Sequence, residues 1–335
     1  MKNDAHVLIT GGAGYIGSHI NKLLNGLGCR TLIFDNLVNG HRDLVRWGEF
    51  IEGDLADPPA LGRVFRDHRI DVVMHLAAFA YVGESMLHPR KYYTNNVGGT
   101  LNLLNAMADA GVPRLVFSST CATYGVLTEV PVSEDHAQQP INPYGDSKLM
   151  VERIIREYCR VYGLKACVLR YFNAAGADPE AEVGERHIPE THLIPLVLDV
   201  ACGKKPYLPV YGDDYPTPDG TCIRDFIHVQ DIAQAHIQAM NYILADGDEF
   251  AFNLSNGNGY SIRQVIEAAH QVTGLSVRTK SLPRRPGDPP ILVGRSGKAR
   301  SVLDWRPRYE DLATIIETAW KWHRKEQDRD EAMKK

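Results

Sequence analysis

From Val7 onward the chain alternates short apolar runs with longer stretches whose apolar residues recur every three or four positions. "HVLIT" (6–10) reads as a strand, and Ile16, Ile20, Leu23, Leu24 and Leu27 then keep helical spacing until Gly28. "TLIFD" (31–35) and "FIEGD" (50–54) predict the second and third strands. A helix through Leu61, Val64 and Phe65 precedes the fourth, "DVVMHLAA" (71–78). A long helix over 90–110, carrying Tyr93, Val97, Leu101, Leu104 and Met107, leads to "RLVFSS" (114–119). A helix over 144–162 then precedes the sixth strand, "ACVLRYFN" (166–173). Apolar strands separated by helices are those of a parallel sheet covered on both faces. The expected class is α/β, a Rossmann-type doubly wound parallel sheet.

After Asn173 the regularity breaks. "AAGADPEAEVGERHIPE" (174–190) and "YGDDYPTPDGTCIRD" (211–225) are rich in Gly, Pro and Asp, which marks long loops, and loops of that length are usually functional. Helical patterns resume over 231–244, 261–273 and 311–322. The chain therefore divides into a first domain, 1–173, with further sheet segments contributed by later residues, and a smaller C-terminal α/β lobe, 174–330, over the C-terminal edge of the sheet. The tail "RKEQDRDEAMKK" reads as a fraying, solvated end. No internal repeat or low-complexity segment is present.

Composition narrows the function classes. At 335 residues, 44% hydrophobic and 23% charged, the chain has the make-up of a globular protein. A formal charge of −4 gives no reason to expect nucleic acid or an anionic membrane as partner. No apolar stretch approaches the roughly 20 residues that span a bilayer, and "MKNDAHVLIT" lacks a signal-peptide core, so a cytoplasmic location is expected. The six cysteines are scattered, without CxxC or zinc-like spacing, and read as core fillers in a reducing compartment. "HIPETH" (187–192) looks like a metal motif, but its spacing is not HExxH and Pro189 breaks the helix such a motif needs. No metal site is expected.

Candidate chemistry begins at "TGGAGYIGSH" (10–19), between the first strand and first helix. Gly12, Gly14 and Gly17 satisfy GxGxxG, and Gly11, Gly14 and Gly17 fit GxxGxxG. Glycines there let backbone approach a pyrophosphate held at the helix N-terminus, where free N–H groups and the dipole favour anions. Asp35 ends the second strand, placed to accept adenosine ribose hydroxyls and to repel a 2′-phosphate, so NAD is favoured over NADP. "GDL" (53–55) is expected near the adenine. "NPYGDSK" (142–148) sets Tyr144 four residues ahead of Lys148, on one helical face. With NAD bound, Tyr144 takes a proton from a substrate hydroxyl, Lys148 holds the nicotinamide ribose and lowers the phenol's pKa, and Thr120, ending the fifth strand, hydrogen-bonds the same hydroxyl.

Carrying these residues, the chain resembles the extended short-chain dehydrogenases/reductases, and among them the UDP-glucose 4-epimerases. The resemblance runs from about Val7 to Trp322. It rests on "GGAGYIGSH", "VGES", "YYTNNVGGT", "SSTCATYG", "NPYGDSK", "RYFNAAGA", "THLIP", "YGDDYPTPDGTCIRDFIHV" and "PRRPGD". It implies that Gly11, Gly14, Tyr15, Ile16, Gly17, Asp35, Asn36, Asp54, Leu55, Leu76, Ala77, Asn95, Ser118 and Phe172 line the NAD site with Tyr144 and Lys148. By the same likeness Asn173, Leu193, Tyr211, Arg224, Arg285 and Asp288 hold the UDP moiety, and Leu292 bounds the sugar. Two arginines suit a diphosphate, an aromatic suits uracil, and Asp288 suits ribose hydroxyls.

The implied reaction is 4-epimerisation of a UDP-sugar, UDP-glucose/UDP-galactose foremost, through a transient 4-keto sugar, with NAD restored each turn. A homodimer through the helices at 90–110 and 144–162 is implied as well. Two departures bear on the transfer. Many relatives carry Lys where this chain has Ala80, and Leu292 is smaller than the Tyr of restrictive relatives, so N-acetylated sugars are not excluded. UDP-pentose 4-epimerases share several motifs and remain an alternative. A 4,6-dehydratase needs an Asp-Glu pair where Cys121 and Ala122 stand. A net dehydrogenase needs exchangeable NAD, and a non-catalytic nucleotide-binding protein has no use for an intact Thr120, Tyr144 and Lys148.

Overall fold

A computed structural model describes residues 4–285 and 288–333. Its first half builds β1 (His6–Thr10), α1 (Tyr15–Gly26), β2 (Arg30–Asp35), β3 (Glu49–Glu52), α2 (Pro58–Asp67) and β4 (Val72–His75). There follow α3 (Val82–Leu87), α4 (Pro89–Tyr92), α5 (Gly99–Asp109), β5 (Arg114–Thr120), α6 (Pro143–Tyr162) and β6 (Lys165–Tyr171). The second half builds β7 (Asn173–Ala175), α7 (Leu193–Ala201), β8 (Leu208–Tyr211), β9 (Ile223–His228), α8 (Val229–Leu244) and β10 (Ala251–Leu254). It closes with β11 (Gly259–Ser261), α9 (Ile262–Thr273), β12 (Thr279–Leu282), β13 (Ile291–Leu292), α10 (Gly297–Val302) and α11 (Leu312–Met333).

The central sheet is the expected parallel one, seven strands in the order β10-β6-β5-β4-β1-β2-β3. All its ladders are parallel, so each connection crosses over a face, by way of helices except between β2 and β3, which a loop with one short 3-10 turn joins. One face is packed by α1 and α8, whose Ile20, Leu24, Ile232, Ala235, Ala239 and Ile243 are buried in a single cluster. Alanines at the α8 positions let the two helices approach closely. The other face is packed by α2, α5 and α6 through Leu61, Val64, Leu103, Leu104, Met107, Val151 and Ile155.

The two lobes interleave. β10 pairs Ala251–Leu254 with Val168–Tyr171 of β6, so residues 229–254 leave the second half and finish the first lobe's sheet. The second lobe is built around β9, which β7 and β13 join parallel and β11 antiparallel, with β8 and β12 as a separate pair. α7, α9 and α11 cover it through Val197, Val265, Ile315 and Ile316.

Two expectations are corrected. The helix expected over 90–110 is not uniform: a π-helical segment, Tyr93–Gly98, lies between α4 and α5. There Asn96 leaves the ladder's regular spacing to bind Phe79 in both directions, accepting from its N–H at 2.9 Å and donating to its carbonyl at 3.0 Å. The described part of the tail is largely exposed, as expected, but it is helical and tied down: α11 runs to Met333. Lys325 donates to the Ala181 carbonyl (2.6 Å), Glu326 pairs with Arg186 (2.6 Å) and Arg329 pairs with Asp43 (2.8 Å). Charges that read as solvated in sequence are partners for charges far away in the chain.

Candidate active site

The C-terminal ends of β1, β2, β4 and β5 carry the residues expected to do chemistry. After β1, Gly11 has φ +76°, and a Cβ there would sit 2.5 Å from the Ala77 nitrogen. A Cβ on Gly17 would sit 2.3 Å from the Gly11 carbonyl oxygen. Only glycine lets loop and helix approach this closely. α1 opens at Gly14 with no side-chain cap and no acidic residue in its first turn, leaving its N–H groups and positive dipole end to an anion. This cradle fits a dinucleotide pyrophosphate.

Asp35 is 7% exposed and accepts the N–H of Ala13 at 3.0 Å and of Leu37 at 2.8 Å. Burial raises its pKa, against the two backbone donors. Each oxygen keeps a lone pair for a ribose hydroxyl. Beside it Asn36 donates to Asp54 at 2.8 Å, which places "GDL" next to the end of β2 as expected for an adenine rim. Leu55 packs beneath Gly99, and Leu76 and Ala77 follow β4 with both N–H groups on the Thr10 carbonyl. Asn95, in the π segment, donates to Asn96 at 3.0 Å.

Some expected side chains turn elsewhere. The Tyr15 hydroxyl donates to the Gly176 carbonyl at 2.5 Å, so this residue offers a ligand its backbone N–H rather than its ring. Ile16 packs against the core. Ser118 has its hydroxyl against His236 of α8 at 2.8 Å, and its carbonyl accepts Lys148 Nζ at 2.8 Å.

The expected catalytic group does converge. Thr120 ends β5 and Tyr144 lies in the first turn of α6, with the Thr120 hydroxyl close enough to the phenol to act on its pKa. α6 is started by Pro143 and by Asn142, whose side chain accepts the Gly145 N–H at 2.8 Å. A Cβ on Gly145 would lie 2.4 Å from the Ala122 oxygen, so glycine is what brings this turn onto the turn after β5. One turn along, Lys148 is 4% exposed.

The electrostatics correct one expectation. Burial raises the Tyr144 phenol above its ordinary pKa; the neighbouring Tyr171 adds to this and the nearby Thr120 side chain opposes it. Lys148 does not make the phenol acidic, because its ammonium points at the Ser118 carbonyl and burial lowers its own pKa to about 7, against the charge of Glu152. The protein alone therefore holds the phenol's proton back and loosens that of Lys148, and a further positive charge near the phenol would favour its ionisation.

Behind this group lies a buried network that the motif reading missed. Glu152, one turn past Lys148, pairs with Arg170 of β6 at 2.6 Å, each side chain 2% exposed. Ser119 donates to Glu152 at 2.5 Å, Arg170 to the Tyr124 hydroxyl at 2.9 Å, and Tyr124 to Asn253 of β10 at 2.6 Å. The signal was an arginine inside an otherwise apolar strand, "ACVLRYFN".

The residues expected to hold UDP come from the second lobe. Arg224 on β9 pairs with Asp288 at 2.7 Å, and Arg285 lies over the Tyr211 ring at 3.9 Å. Residues 286 and 287 of "PRRPGD" are outside the described residues. Asn173 donates to the Asp225 carbonyl at 2.8 Å, and Leu193 begins α7. Leu292 of β13 stands opposite Arg224 in the ladder and packs with Cys121 and Phe172. Arg224 is also close enough to Cys121 to act on its thiol. The set thus reaches the residue next to Thr120.

Known proteins share this fold and much of this sequence. The model of the NAD dependent epimerase/dehydratase family matches residues 7–255. A UDP-glucose 4-epimerase of Lacticaseibacillus casei is 48% identical over 318 residues, covering 95% of this chain and 96% of the relative. The crystal structure of UDP-glucose 4-epimerase from Brucella ovis in complex with NAD is 49% identical, with a TM-score of 0.93 over 95% of this chain and 98% of that one. The UDP-Glc/GlcNAc 4-epimerase of Campylobacter jejuni is 41% identical, with a TM-score of 0.84 over 96% and 99%.

Proposed function

Since the chain belongs to the NAD-dependent epimerase/dehydratase family, we propose that it interconverts UDP-glucose and UDP-galactose by inversion at C4. The observation that carries this reading is the convergence of Thr120, Tyr144 and Lys148, with Arg224 and Leu292 reaching the same place from the second lobe. The glycine cradle, Asp35 and the uncapped N-terminus of α1 hold NAD, which when bound supplies reversible hydride acceptance. Thr120 orients the C4 hydroxyl and Tyr144 takes its proton, returning it after the 4-keto sugar has turned. Lys148 binds the nicotinamide ribose. Arg224 and Arg285 hold the diphosphate, Asp288 the uridine ribose, and Tyr211, Asn173 and Leu193 complete the anchor that keeps the intermediate from leaving. Phe172, packed with Cys121 and Leu292, lines the NAD site.

The rivals fare worse. At the position where elimination of water needs an acid, Cys121 is buried and its thiol is pushed up to about 12. The second substrate reading is a UDP-N-acetylhexosamine, favoured by Leu292, which leaves more room than a tyrosine at that wall. Replacing Tyr144 by Phe tests the mechanism: turnover falls at least about 100-fold while UDP still binds. Near-normal turnover would sink it.

We also read the protein as a cytoplasmic homodimer. All six cysteines are free, and no described helix is long and apolar enough to cross a membrane. Leu101 on α5 and Met150, Val161 and Tyr162 on α6 are exposed apolar residues on the two helices expected to pair with a second copy.

A further inference from the structure

The loop between β7 and α7 gathers a cluster that the proposed reaction does not use. Glu185, His187, Glu190 and His192 each place one ligand atom within 4.8 Å of the other three. His187 Nδ1 lies 3.1 Å from Glu185 Oε1 and 3.7 Å from Glu190 Oε2; His192 Nδ1 lies 2.8 Å from the same Glu185 oxygen and 2.9 Å from the other Glu190 oxygen, Oε1. Donors at the corners of a tetrahedron with zinc-like bonds stand about 3.3 Å apart. The four histidine–carboxylate separations bracket that value. No helix is needed, so the objection to "HIPETH" as a metal motif falls, and its two histidines gain Glu185 and Glu190 as company.

The surroundings are built rather than loose. The Tyr15 ring stands edge-on to His187 at 6.3 Å, and the Tyr81 ring lies 5.9 Å from His187 and 6.4 Å from His192. Trp322 of α11 donates to the Glu185 carbonyl at 2.8 Å, and Arg186 is fixed between Asp43 and Glu326. The Tyr81 hydroxyl is buried with no hydrogen-bond partner among the described residues. Glu185 and Glu190 are 7% and 13% exposed, while His192 at 42% leaves an entrance.

We propose that Glu185, His187, Glu190 and His192 bind one divalent transition-metal ion of the zinc class, bracing the loop that leads into α7 against α1 and α11. Imidazole nitrogen selects zinc, cobalt or nickel over magnesium and calcium. Two neutral imidazoles and two carboxylates carry a charge of −2, which one such ion balances. Protons now shared between the Nδ1 atoms and the carboxylates leave as the metal enters. The acidic trio Asp178, Glu180 and Glu182 differs in already holding Lys22 between its members, with Nζ 2.8 Å from Asp178 and from Glu182.

The test uses full-length protein, dialysed against a chelator and titrated with Co²⁺. One equivalent is expected to give visible d–d bands of tetrahedral intensity. Zn²⁺ displaces it one for one and raises Tm by a few degrees at hundredfold excess over Kd. His187→Cys keeps a ligand at that corner and adds a thiolate-to-cobalt charge-transfer band. In Glu190→Gln affinity falls at least tenfold. Absence of a one-equivalent tetrahedral spectrum in the wild type overturns the proposal, as does an unaltered spectrum in His187→Cys. A spectrum that survives in the His187→Gln/His192→Gln double variant also overturns it, moving the metal elsewhere, for instance to Cys202 and His323, whose Sγ and Nε2 are 3.4 Å apart.

Discussion

Gly145 is the point at which a single methyl group should separate position from chemistry. It follows Tyr144, lies in the first turn of α6, and contributes no side chain to any proposed step. A Cβ there would stand 2.4 Å from the Ala122 oxygen, 2.9 Å from the Ala122 carbon and 3.2 Å from Pro140, against ordinary contacts of 3.4–4 Å. Both backbone atoms are held: Thr120 accepts the Ala122 N–H at 3.1 Å, and α6 is pinned by Asn142 and by the Glu152–Arg170 pair. In Gly145→Ala the N-terminus of α6 therefore has to retreat by about 1 Å from the turn after β5. That opens the Thr120–Tyr144 contact, and a displacement of about 1 Å in a reacting group costs about 100-fold in rate. The assay is kcat for UDP-galactose epimerisation, alongside Tm. A control is Gly62→Ala in α2, where a Cβ meets nothing within 4 Å; it should leave kcat unchanged and stabilise the fold by about 0.5–1 kcal/mol. If Gly145→Ala turns over within twofold of wild type, the close approach of these two turns does not set the catalytic geometry.

The remaining predictions are independent of that one. Arg170→Met strands the Glu152 carboxylate in a site where both side chains are 2% exposed, and should cost about 3–5 kcal/mol in urea unfolding; adding Glu152→Leu should restore most of it, and a double variant no better than the single would refute the pairing argument. Leu292→Tyr, at a wall shared with Cys121 and Phe172, should lower kcat/KM for UDP-GlcNAc at least about tenfold more than for UDP-galactose; an unchanged ratio would mean Leu292 does not bound the sugar. Lys148 carries a pKa of about 7 in the fold against 10.5 when free. Below pH 7 both states are protonated and the buried charge is a cost; between pH 7 and 10.5 only the unfolded chain keeps the proton, so stability rises with pH. In cofactor-free protein the wild type should therefore gain on Lys148→Met over that window, and parallel curves would contradict the shift.

What could be read before the fold was known is what depends on near neighbours in the chain. The glycines sit within one turn of one another, Tyr144 and Lys148 are four apart on a helix, and Asp35 ends its strand; each needed only local geometry. The α/β class followed because apolar strands and helices alternate from Val7 to Asn173. What was hidden is what pairs at a distance. Nothing local marks Arg170 as the partner of Glu152, or Arg329 of Asp43, and a charged terminal segment looks solvated until its partners are placed. The acidity of Tyr144 was misjudged for the same reason. Spacing brings Lys148 near, but burial and the Ser118 carbonyl decide what its charge does. The π segment at Tyr93–Gly98 keeps an ordinary helical apolar pattern, and only the Asn96–Phe79 bonds betray it.

The pairing of β10 with β6 sets a schedule for the growing chain. When β6 leaves the ribosome, six strands of the sheet can assemble, but the free edge of β6 has no partner until Leu254 has been made. At ordinary synthesis rates the stretch from 172 to 250 takes about 4–16 s. During that time a parallel, apolar edge stands open beside a surface that α8 has yet to cover, the arrangement most inviting to another chain. A ribosome stalled within α7 would hold the protein at its stickiest, so the place of β10 in the sheet makes the speed of translation through the second lobe a determinant of yield.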